Sequence, residues 1–212
     1  MITIAVSKGR MQDDAISLLA DAGIKLNVES LASRKLSVDD ESGQYRFIFV
    51  KPADVPVYVE HGIADCGIVG RDVLLESEAD VLLPLDLGIA RCRLVVAAIE
   101  PDVVTQAFGM LRVATKYARI AGNHFGSRGI PVEIIPLSGS VELAPRLELA
   151  DAIVDLVETG RTLKENGLKI VEVITESTGR LVVNRASFQL KADELGQLMS
   201  ALNRAIGGEG GA

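Results

Sequence analysis

Short apolar runs recur along most of the chain and predict β-strands. They read ITIAVS, YRFIFV, DCGIVG, VLLPL, CRLVVAAI, LRVAT, PVEIIPL, DAIVDLV and KIVEVI. Most are continuously apolar instead of alternating, which is typical of strands buried on both faces of a parallel or mixed sheet. Segments with helical spacing lie between most of the runs. The pattern therefore predicts an α/β fold with helices covering both faces of the sheet.

The first two strand–helix units indicate where a ligand would bind. In the first, the loop Ser7–Arg10 leads into a helix whose first turn contains Asp13 and Asp14 and which is expected to end near Gly23. In the second, a helix is expected over 52–62. Open α/β sheets bind ligands beyond the carboxyl ends of their strands, so the SKGR loop is a candidate site.

Composition narrows the class of protein. The chain has 212 residues, of which 48% are hydrophobic and 24% charged, so it can bury the core of one large or two small domains. No apolar run approaches the roughly 20 residues that span a bilayer, and the start lacks the features of a secretory signal, so a cytoplasmic protein is expected. The net charge of −7 disfavours a broad nucleic-acid interface. Cys66 and Cys92 have no neighbouring His cluster, which argues against a zinc site.

The segment DAIVDLVETGRTL is the strongest candidate for chemistry. It predicts a buried strand, a loop over Thr159–Thr162 and a helix that ends near Gly167. Gly160 allows close backbone approach to an anion, and the free N–H groups and the hydroxyls can surround a phosphate. Asp151 and Asp155 lie four residues apart, on one face of a strand, where a carboxylate can accept hydrogen bonds from ribose hydroxyls.

A plain structural turn is the alternative interpretation of this segment. Thr and Gly are common at ordinary turns and helix starts, and carboxylates often face water. The sequence contains neither the G-x-x-x-x-G-K-[ST] nor the G-x-G-x-x-G pattern. The local pattern alone leaves both interpretations open.

The segment DAIVDLVETGRTLKENGL closely resembles the phosphoribosyl-diphosphate-binding signature of the ATP phosphoribosyltransferases. The resemblance extends, in family order, to VSKGRM, SRKL, KPADVPVYVEHGIADCGIVGRDVL and LDLGIARCRLVVA. It therefore covers nearly the whole chain. The chain length is similar to that of the short form of the family, which lacks a C-terminal regulatory domain.

The resemblance implies a fold and a reaction. The fold would consist of two α/β domains of the periplasmic-binding-protein type with an active-site cleft between them. Residues 1–88 with 179–212 would form domain I, and residues 89–178 would form domain II with the phosphoribosyl-diphosphate loop. The reaction would transfer phosphoribosyl from phosphoribosyl diphosphate to N1 of ATP with release of pyrophosphate, the first step of histidine biosynthesis.

The resemblance also assigns roles to individual residues. Arg34 and Lys51 become the catalytic cations that stabilise the departing pyrophosphate. ATP contacts fall on the VSKGRM segment and on the start of the CRLVVAAI run, at Lys8, Gly9, Arg10, Cys92 and Arg93. The phosphoribosyl-diphosphate contacts are Asp151, Asp155, Glu158, Thr159, Gly160, Arg161 and Thr162.

Further expectations concern metal, partner and departures from the family pattern. Mg²⁺ is expected on the substrate diphosphate, with no metal site made by the protein. The short form implies a regulatory subunit resembling histidyl-tRNA synthetase and a hetero-oligomer. Lys51 stands where the family favours arginine, and Glu148 where it usually has glycine. If the backbone at Glu148 has a positive φ, the glutamate is strained.

Three other readings of the sequence stay open at this point. A cytoplasmic binding protein for a small phosphorylated solute would share the cleft fold without chemistry. Another phosphoribosyltransferase would share the recognition of ribose phosphate, although the common class has two adjacent acidic residues before its Thr-Gly loop, where this chain has Leu156 and Val157 after Asp155. A regulatory paralogue would be expected to lose the cationic positions that this chain retains.

Overall fold

The computed structural model describes residues 1–26, 37–105 and 109–208. Contacts between residues divide the chain into two compact units, Met1–Ala90 with Thr178–Ala212 (unit 1) and Arg91–Ser177 (unit 2). The boundaries expected from the sequence lie two and one residues away. The difference arises because residues 89 and 90 bond within unit 1: Gly179 N donates to Ile89 O, and Ala90 N donates to a carboxylate oxygen of Asp14.

Unit 1 contains a six-stranded mixed sheet. Its strands are β1 (Ile2–Ser7), β2 (Ser37–Asp39), β3 (Tyr45–Val50), β4 (Cys66–Gly70), β5 (Leu82–Asp86) and β11 (Gly179–Val183), in the order β2-β3-β1-β4-β11-β5. β1 runs parallel to β3 and β4, and the other pairings are antiparallel. The sequence patterns predicted β1, β3, β4 and β5 at these places but did not include β2 or β11.

Helices cover both faces of the unit 1 sheet. They are α1 (Gln12–Asp21), α2 (Asp54–Glu60), α3 (Arg71–Ser77), α8 (Arg185–Leu190) and α9 (Ala192–Gly208). On one face, α1 contacts α9, whose leucines at 195, 198 and 202 are fully buried against strand residues such as Ile4 and Ile68. On the other face, Val55 and Val59 of α2 pack against Val69 of β4. The helical spacing seen in the sequence therefore matches the buried faces.

Unit 2 contains a five-stranded sheet with β9 at its centre. The strands are β6 (Cys92–Ala98), β7 (Leu111–Thr115), β8 (Val132–Pro136), β9 (Ala152–Val157) and β10 (Lys169–Ser177), in the order β10-β6-β9-β7-β8. β7, β8 and β9 are parallel, whereas β6 is antiparallel to both β9 and β10. The helices are α4 (Asp102–Thr105), α5 (Ala118–Gly126), α6 (Leu143–Arg146) and α7 (Arg161–Glu165).

The apolar run of β9 is continuous because both faces of this strand are buried. Ala152 and Val154 belong to the core cluster that includes Phe125 of α5, and Ile153 and Val157 belong to the cluster that includes Leu163 of α7. Within the described ranges, no helix is long and apolar enough to cross a membrane. The prediction of an α/β fold with mixed sheets covered by helices is confirmed.

Candidate functional site

The segment after β9 forms a tight strand-to-helix loop. Gly160 has φ +77° and directly precedes α7, which begins at Arg161. A Cβ atom at position 160 would lie 3.7 Å from Val157 Cγ1, an ordinary contact, so the positive φ and not lack of space favours glycine here. Lys164 N donates to Gly160 O at 3.1 Å, which closes the first turn of α7.

The polar groups of this loop face solvent while its base is held in the core. Leu163 is 4% exposed and packs with Val157. The exposed side chains of the loop and of the first turn of α7 are those of Glu158, Thr159, Arg161 and Thr162. The first N–H groups of a helix lack partners within the helix, so this loop combines amide donors, hydroxyls and a guanidinium around one glycine.

Asp155 and Asp151 occupy different environments, although they lie four residues apart. Asp155 lies in β9 on the same face as Ile153 and Val157. It is paired with Val95 of β6 and lies four residues before Thr159. Asp151 precedes the first residue of β9. The side chain of Asp155 is half-buried near the carboxyl end of the central strand, which leads into the Thr159–Thr162 loop.

The carboxylate of Asp151 is engaged by Arg112 of β7. Arg112 donates from Nη2 to Oδ1 at 2.6 Å, from Nε to Oδ2 at 3.2 Å and from its backbone N to Oδ2 at 2.9 Å. The hydrogen bond from Arg112 lowers the pKa of Asp151 below its usual value, against the opposing effect of burial. These bonds fix the start of β9. Asp151 therefore has a structural role, the pairing with Arg112, which its spacing in the sequence did not indicate.

The turn before β9 has a strained residue. Glu148 has φ +57°, in the left-handed region, where a Cβ atom is unfavourable. Arg112 Nη1 donates to Glu148 O at 2.9 Å, so the same arginine holds both ends of the turn. The backbone at position 148 therefore adopts a conformation that glycine would take without strain. Glu148, which stands where the family usually has glycine, is strained in this conformation.

Two predicted cations are neighbours at the carboxyl edge of unit 1. Ser7 of β1 pairs with Val50 of β3, and Lys8 N donates to Val50 O at 2.8 Å. Lys8 and Lys51 each come one residue after these strand ends, and both side chains are exposed. The parallel strands thus bring together the backbones of two lysines that are 43 positions apart in the chain.

Gly9 and Arg10 complete this part of the edge. Gly9 has φ +88°, and Gln12 N donates to Gly9 O at 2.9 Å, so the glycine turns the chain into α1. Arg10 Nη1 donates to Ala90 O at 3.0 Å, although the side chain remains exposed. The guanidinium of Arg10 is therefore positioned by the backbone of unit 1.

Cys92 and Arg93 lie at the start of β6 and differ in exposure. The side chain of Cys92 is 3% exposed, and its thiol donates to Ser177 O at 3.7 Å. The side chain of Cys92 therefore packs in the interior, and its assignment to ATP stays a prediction. Arg93 is exposed and lies opposite Val157, the last residue of β9. Arg34, the other predicted catalytic cation, lies outside the described residues.

The structure also brings residues to these edges that the sequence patterns did not single out. Arg71 and Asp72 follow β4 in unit 1, beside the strand that leads to Lys8, and the carboxylate of Asp72 occupies the space where a Cβ of residue 70 would be. Lys116 follows β7 in unit 2. The signal that could have found them is their position immediately after an apolar run.

The two histidines lie in structural environments. His61 follows the last residue of α2, as expected for an imidazole at a helix C-terminus. His124 Nε2 is 2.7 Å from Oε1 of Glu172, which also binds Arg128. Although burial raises the pKa of Glu172, hydrogen bonds from His124 and Arg128 lower it overall.

The fold and the site define a class: an α/β protein of two units in which a strand-to-helix loop, of the kind that accommodates phosphate groups, follows a carboxylate on the central strand. The family model described as ATP phosphoribosyltransferase matches residues 51–204. The chain is 50% identical to an ATP phosphoribosyltransferase of Sorangium cellulosum over 99% of this chain and 98% of that protein. The chain belongs to the ATP phosphoribosyltransferase family, which confirms the resemblance drawn from the sequence.

Two solved structures resemble this chain over all or most of its length. One is described as an ATP phosphoribosyl transferase (HisG:HisZ) complex from Thermotoga maritima; it is 34% identical, with a TM-score of 0.86 and complete coverage of both chains. The other is described as Tv2483 bound to L-arginine; it is 16% identical, with a TM-score of 0.55 and coverage of 94% of this chain and 84% of that chain. The second likeness concerns the fold alone.

Proposed function

We propose that this chain catalyses the transfer of phosphoribosyl from phosphoribosyl diphosphate to N1 of ATP, with release of pyrophosphate, as the first step of histidine biosynthesis. The observation that carries the proposal is the 50% identity over essentially the whole length of an ATP phosphoribosyltransferase. A binding protein without chemistry is disfavoured, because the likeness to the arginine-bound protein extends to fold only. A cytoplasmic location accords with this biosynthetic role.

Unit 2 is proposed to hold the sugar phosphate. The amides and hydroxyls of the Thr159–Thr162 loop bind the 5′-phosphate, with Arg161 providing positive charge and Gly160 allowing close approach. Glu158 flanks this loop. Asp155 accepts hydrogen bonds from the ribose hydroxyls, since it lies at the carboxyl end of β9 on the face against which α7 packs. Asp151 contributes indirectly, because its ion pair with Arg112 fixes the start of the strand that carries Asp155.

Unit 1 is proposed to bind phosphate oxygens through its cationic edge. Lys8 and Arg10, with the Gly9 turn, bind the ATP triphosphate, and Arg93 at the start of β6 in unit 2 is the further ATP contact. Lys51, beside Lys8, and Arg34 stabilise the negative charge that grows on the departing pyrophosphate. A lysine at position 51 keeps the charge but forms no bidentate contact.

The reaction calls for positioning and electrostatics more than for proton transfer. N1 of adenine presents a lone pair, so the protein needs no general base to create the nucleophile. Positive charge develops on the sugar while the bond to the leaving group stretches. Fixed cations on the side of the pyrophosphate therefore act mainly in the transition state.

Mg²⁺ is proposed to arrive as part of the substrate. No group of three or more His, Cys, Asp or Glu side chains that could hold an ion occurs among the residues that the structure describes. Mg²⁺ keeps several waters and is commonly bound through substrate phosphates, so the magnesium complex of phosphoribosyl diphosphate is the expected substrate.

A hetero-oligomer with a separate regulatory subunit is also proposed. The supporting observation is that the solved relative from Thermotoga maritima is described as a HisG:HisZ complex. The regulatory subunit is proposed to resemble histidyl-tRNA synthetase.

The test is turnover of ATP and phosphoribosyl diphosphate with Mg²⁺ and added pyrophosphatase, using this chain alone and together with a candidate regulatory subunit. Formation of phosphoribosyl-ATP in either reaction supports the proposed activity, and product only with the partner supports the hetero-oligomer. Absence of product in both, together with no calorimetric binding of either substrate, contradicts the proposal. A Thr162→Ala chain run in parallel shows whether the activity depends on the loop.

A further inference from the structure

Lys116 lies directly beyond the end of β7, the strand next to β9. The parallel register of these strands ends with Thr115 opposite Val154. One further step along both strands places Lys116 beside Asp155. Neighbouring strands are about 4.8 Å apart, so the two backbones lie side by side at the carboxyl edge of the unit 2 sheet.

The turn that carries Lys116 is fixed to both neighbouring strands. Thr115 is fully buried, and its Oγ1 donates to Val154 O at 2.6 Å and accepts from Tyr117 N at 2.8 Å. Leu137 N, which follows β8, donates to Thr115 O at 3.0 Å. These bonds hold the backbone on either side of Lys116, so its position at the edge does not depend on a long loop.

The ammonium group of Lys116 is exposed yet has a defined place. Its Nζ lies 4.8 Å from the centroid of the Tyr117 ring, a cation–π distance, and Tyr117 itself is 3% exposed. Helix α5 begins at Ala118, so the first N–H groups of a nine-residue helix lie at the same edge. The ring contact orients the ammonium group, and the positive charge and the helix N-terminus both favour an anion at this edge.

Some cations of unit 2 are paired with carboxylates. Arg112 pairs with Asp151, and Arg128 pairs with Glu172. Lys116 makes no ion pair within the described part of unit 2. An exposed lysine is ordinarily a solvated surface charge. Lys116 differs because the strand register places it next to the carboxylate proposed to hold the ribose.

The chemistry of the substrate identifies which anion this cation meets. The loop after β9 accounts for the 5′-phosphate, and Asp155 accounts for the hydroxyls at C2 and C3 of the ribose. C1, which bears the diphosphate, is bonded directly to C2. We propose that Lys116 binds the diphosphate of phosphoribosyl diphosphate; this inference rests on the proposed function and adds a substrate contact to it.

The experiment compares calorimetric binding of two ligands, the magnesium complex of phosphoribosyl diphosphate and ribose 5-phosphate, which lacks the diphosphate. The variants are Lys116→Gln, Lys116→Arg and the control Lys169→Gln, which removes an exposed lysine at the start of β10, at the opposite edge of the sheet. Loss of a charged hydrogen bond predicts that Lys116→Gln weakens phosphoribosyl diphosphate about 10- to 100-fold. Ribose 5-phosphate should bind to Lys116→Gln as tightly as to the wild type. Phosphoribosyl diphosphate should bind to Lys116→Arg more tightly than to Lys116→Gln.

Each other result overturns the proposal. Equal weakening of both ligands would mean that Lys116 serves the 5′-phosphate or the fold, and a lowered melting temperature would identify the latter. Unchanged binding, or a loss no larger than that of Lys169→Gln, would make Lys116 a solvated surface lysine. If the wild type binds phosphoribosyl diphosphate, failure at Lys116 leaves the proposed function standing, whereas no binding by the wild type overturns both.

Discussion

Replacing Glu148 by glycine is expected to stabilise the protein. Glu148 has φ +57°, a conformation that costs an ordinary L-residue about 1–2 kcal/mol. Glycine adopts it freely but loses more chain entropy on folding, which offsets about 0.5–1 kcal/mol. The contact from Arg112 Nη1 to Glu148 O involves only the backbone of residue 148 and persists in the variant. The free energy of unfolding should therefore rise by about 0.5–1 kcal/mol for Glu148→Gly.

Urea titration and thermal melting measure this change. For a chain of this size, 1 kcal/mol corresponds to about 2–4 °C in Tm. Because the chain has two units, circular dichroism and a tertiary-structure probe should be followed together, and a gain should appear in the transition that involves unit 2. Glu142→Gly is the matched control, since φ at Glu142 is −62° and glycine there should destabilise by about 0.5–1 kcal/mol.

A second variant separates strain from charge. Glu148→Ala removes the carboxylate but keeps the Cβ atom and hence the unfavourable backbone conformation. If Glu148→Ala gains as much stability as Glu148→Gly, the gain comes from the charge and not from the dihedral angle. If Glu148→Gly loses stability while Glu142→Gly behaves as expected, the reasoning from φ is refuted.

Four further predictions concern the candidate site and the core of unit 1. Gly160→Ala should lower the free energy of unfolding by about 1–2 kcal/mol, read from urea midpoints, because φ at this position is +77°. Thr162→Ala should remove a charge-assisted hydrogen bond of about 1.5–3 kcal/mol and weaken phosphoribosyl diphosphate much more than ATP in calorimetry; equal weakening of both would argue against the loop assignment. Arg34→Ala should lower kcat more than it raises KM, since leaving-group charge appears mainly in the transition state, and a change confined to KM would indicate ground-state binding. Lys191→Met should lower the free energy of unfolding by about 1–3 kcal/mol at pH 7, because Lys191 Nζ lies 2.8 Å from the buried carboxylate of Asp65. Burial raises the pKa of Asp65, but its hydrogen bonds lower the pKa overall. This stabilisation is present above the unfolded pKa of the carboxyl and is lost as pH falls through the lower folded pKa, so the difference between variant and wild type in urea unfolding should shrink below about pH 4.

The fold was predictable because burial on both faces leaves a local signature. A strand such as β9 reads as a continuous apolar run in any window that contains it, and the helix α9 shows its buried leucines at helical spacing. β11 lacked such a signal because it follows β10 after a single residue, Thr178, so the two strands are not separated by a recognisable turn segment. β2 has three residues, too few for a pattern.

The candidate site was predictable only where its determinants are local. The Thr159–Thr162 loop and its glycine are contiguous, so their spacing in sequence is their spacing in the structure. Asp151 was grouped with Asp155 by its four-residue separation, yet the residue that decides its environment, Arg112, lies 39 positions away. Cys92 was likewise assigned to ATP binding from the segment in which it lies. Its burial, in contrast, depends on contacts between two strands, which the segment alone does not show.

Charge placement explains how an acidic chain can serve two anionic substrates. The net charge of −7 sets the field far from the molecule, but screening confines that field to about 8–10 Å at physiological salt. Within that distance the local arrangement dominates, and parallel strands place Lys8 beside Lys51 because both follow the ends of paired strands. Asp151, which would otherwise repel phosphate, is already paired with Arg112. Strand register therefore positions the cations that are proposed to bind phosphate.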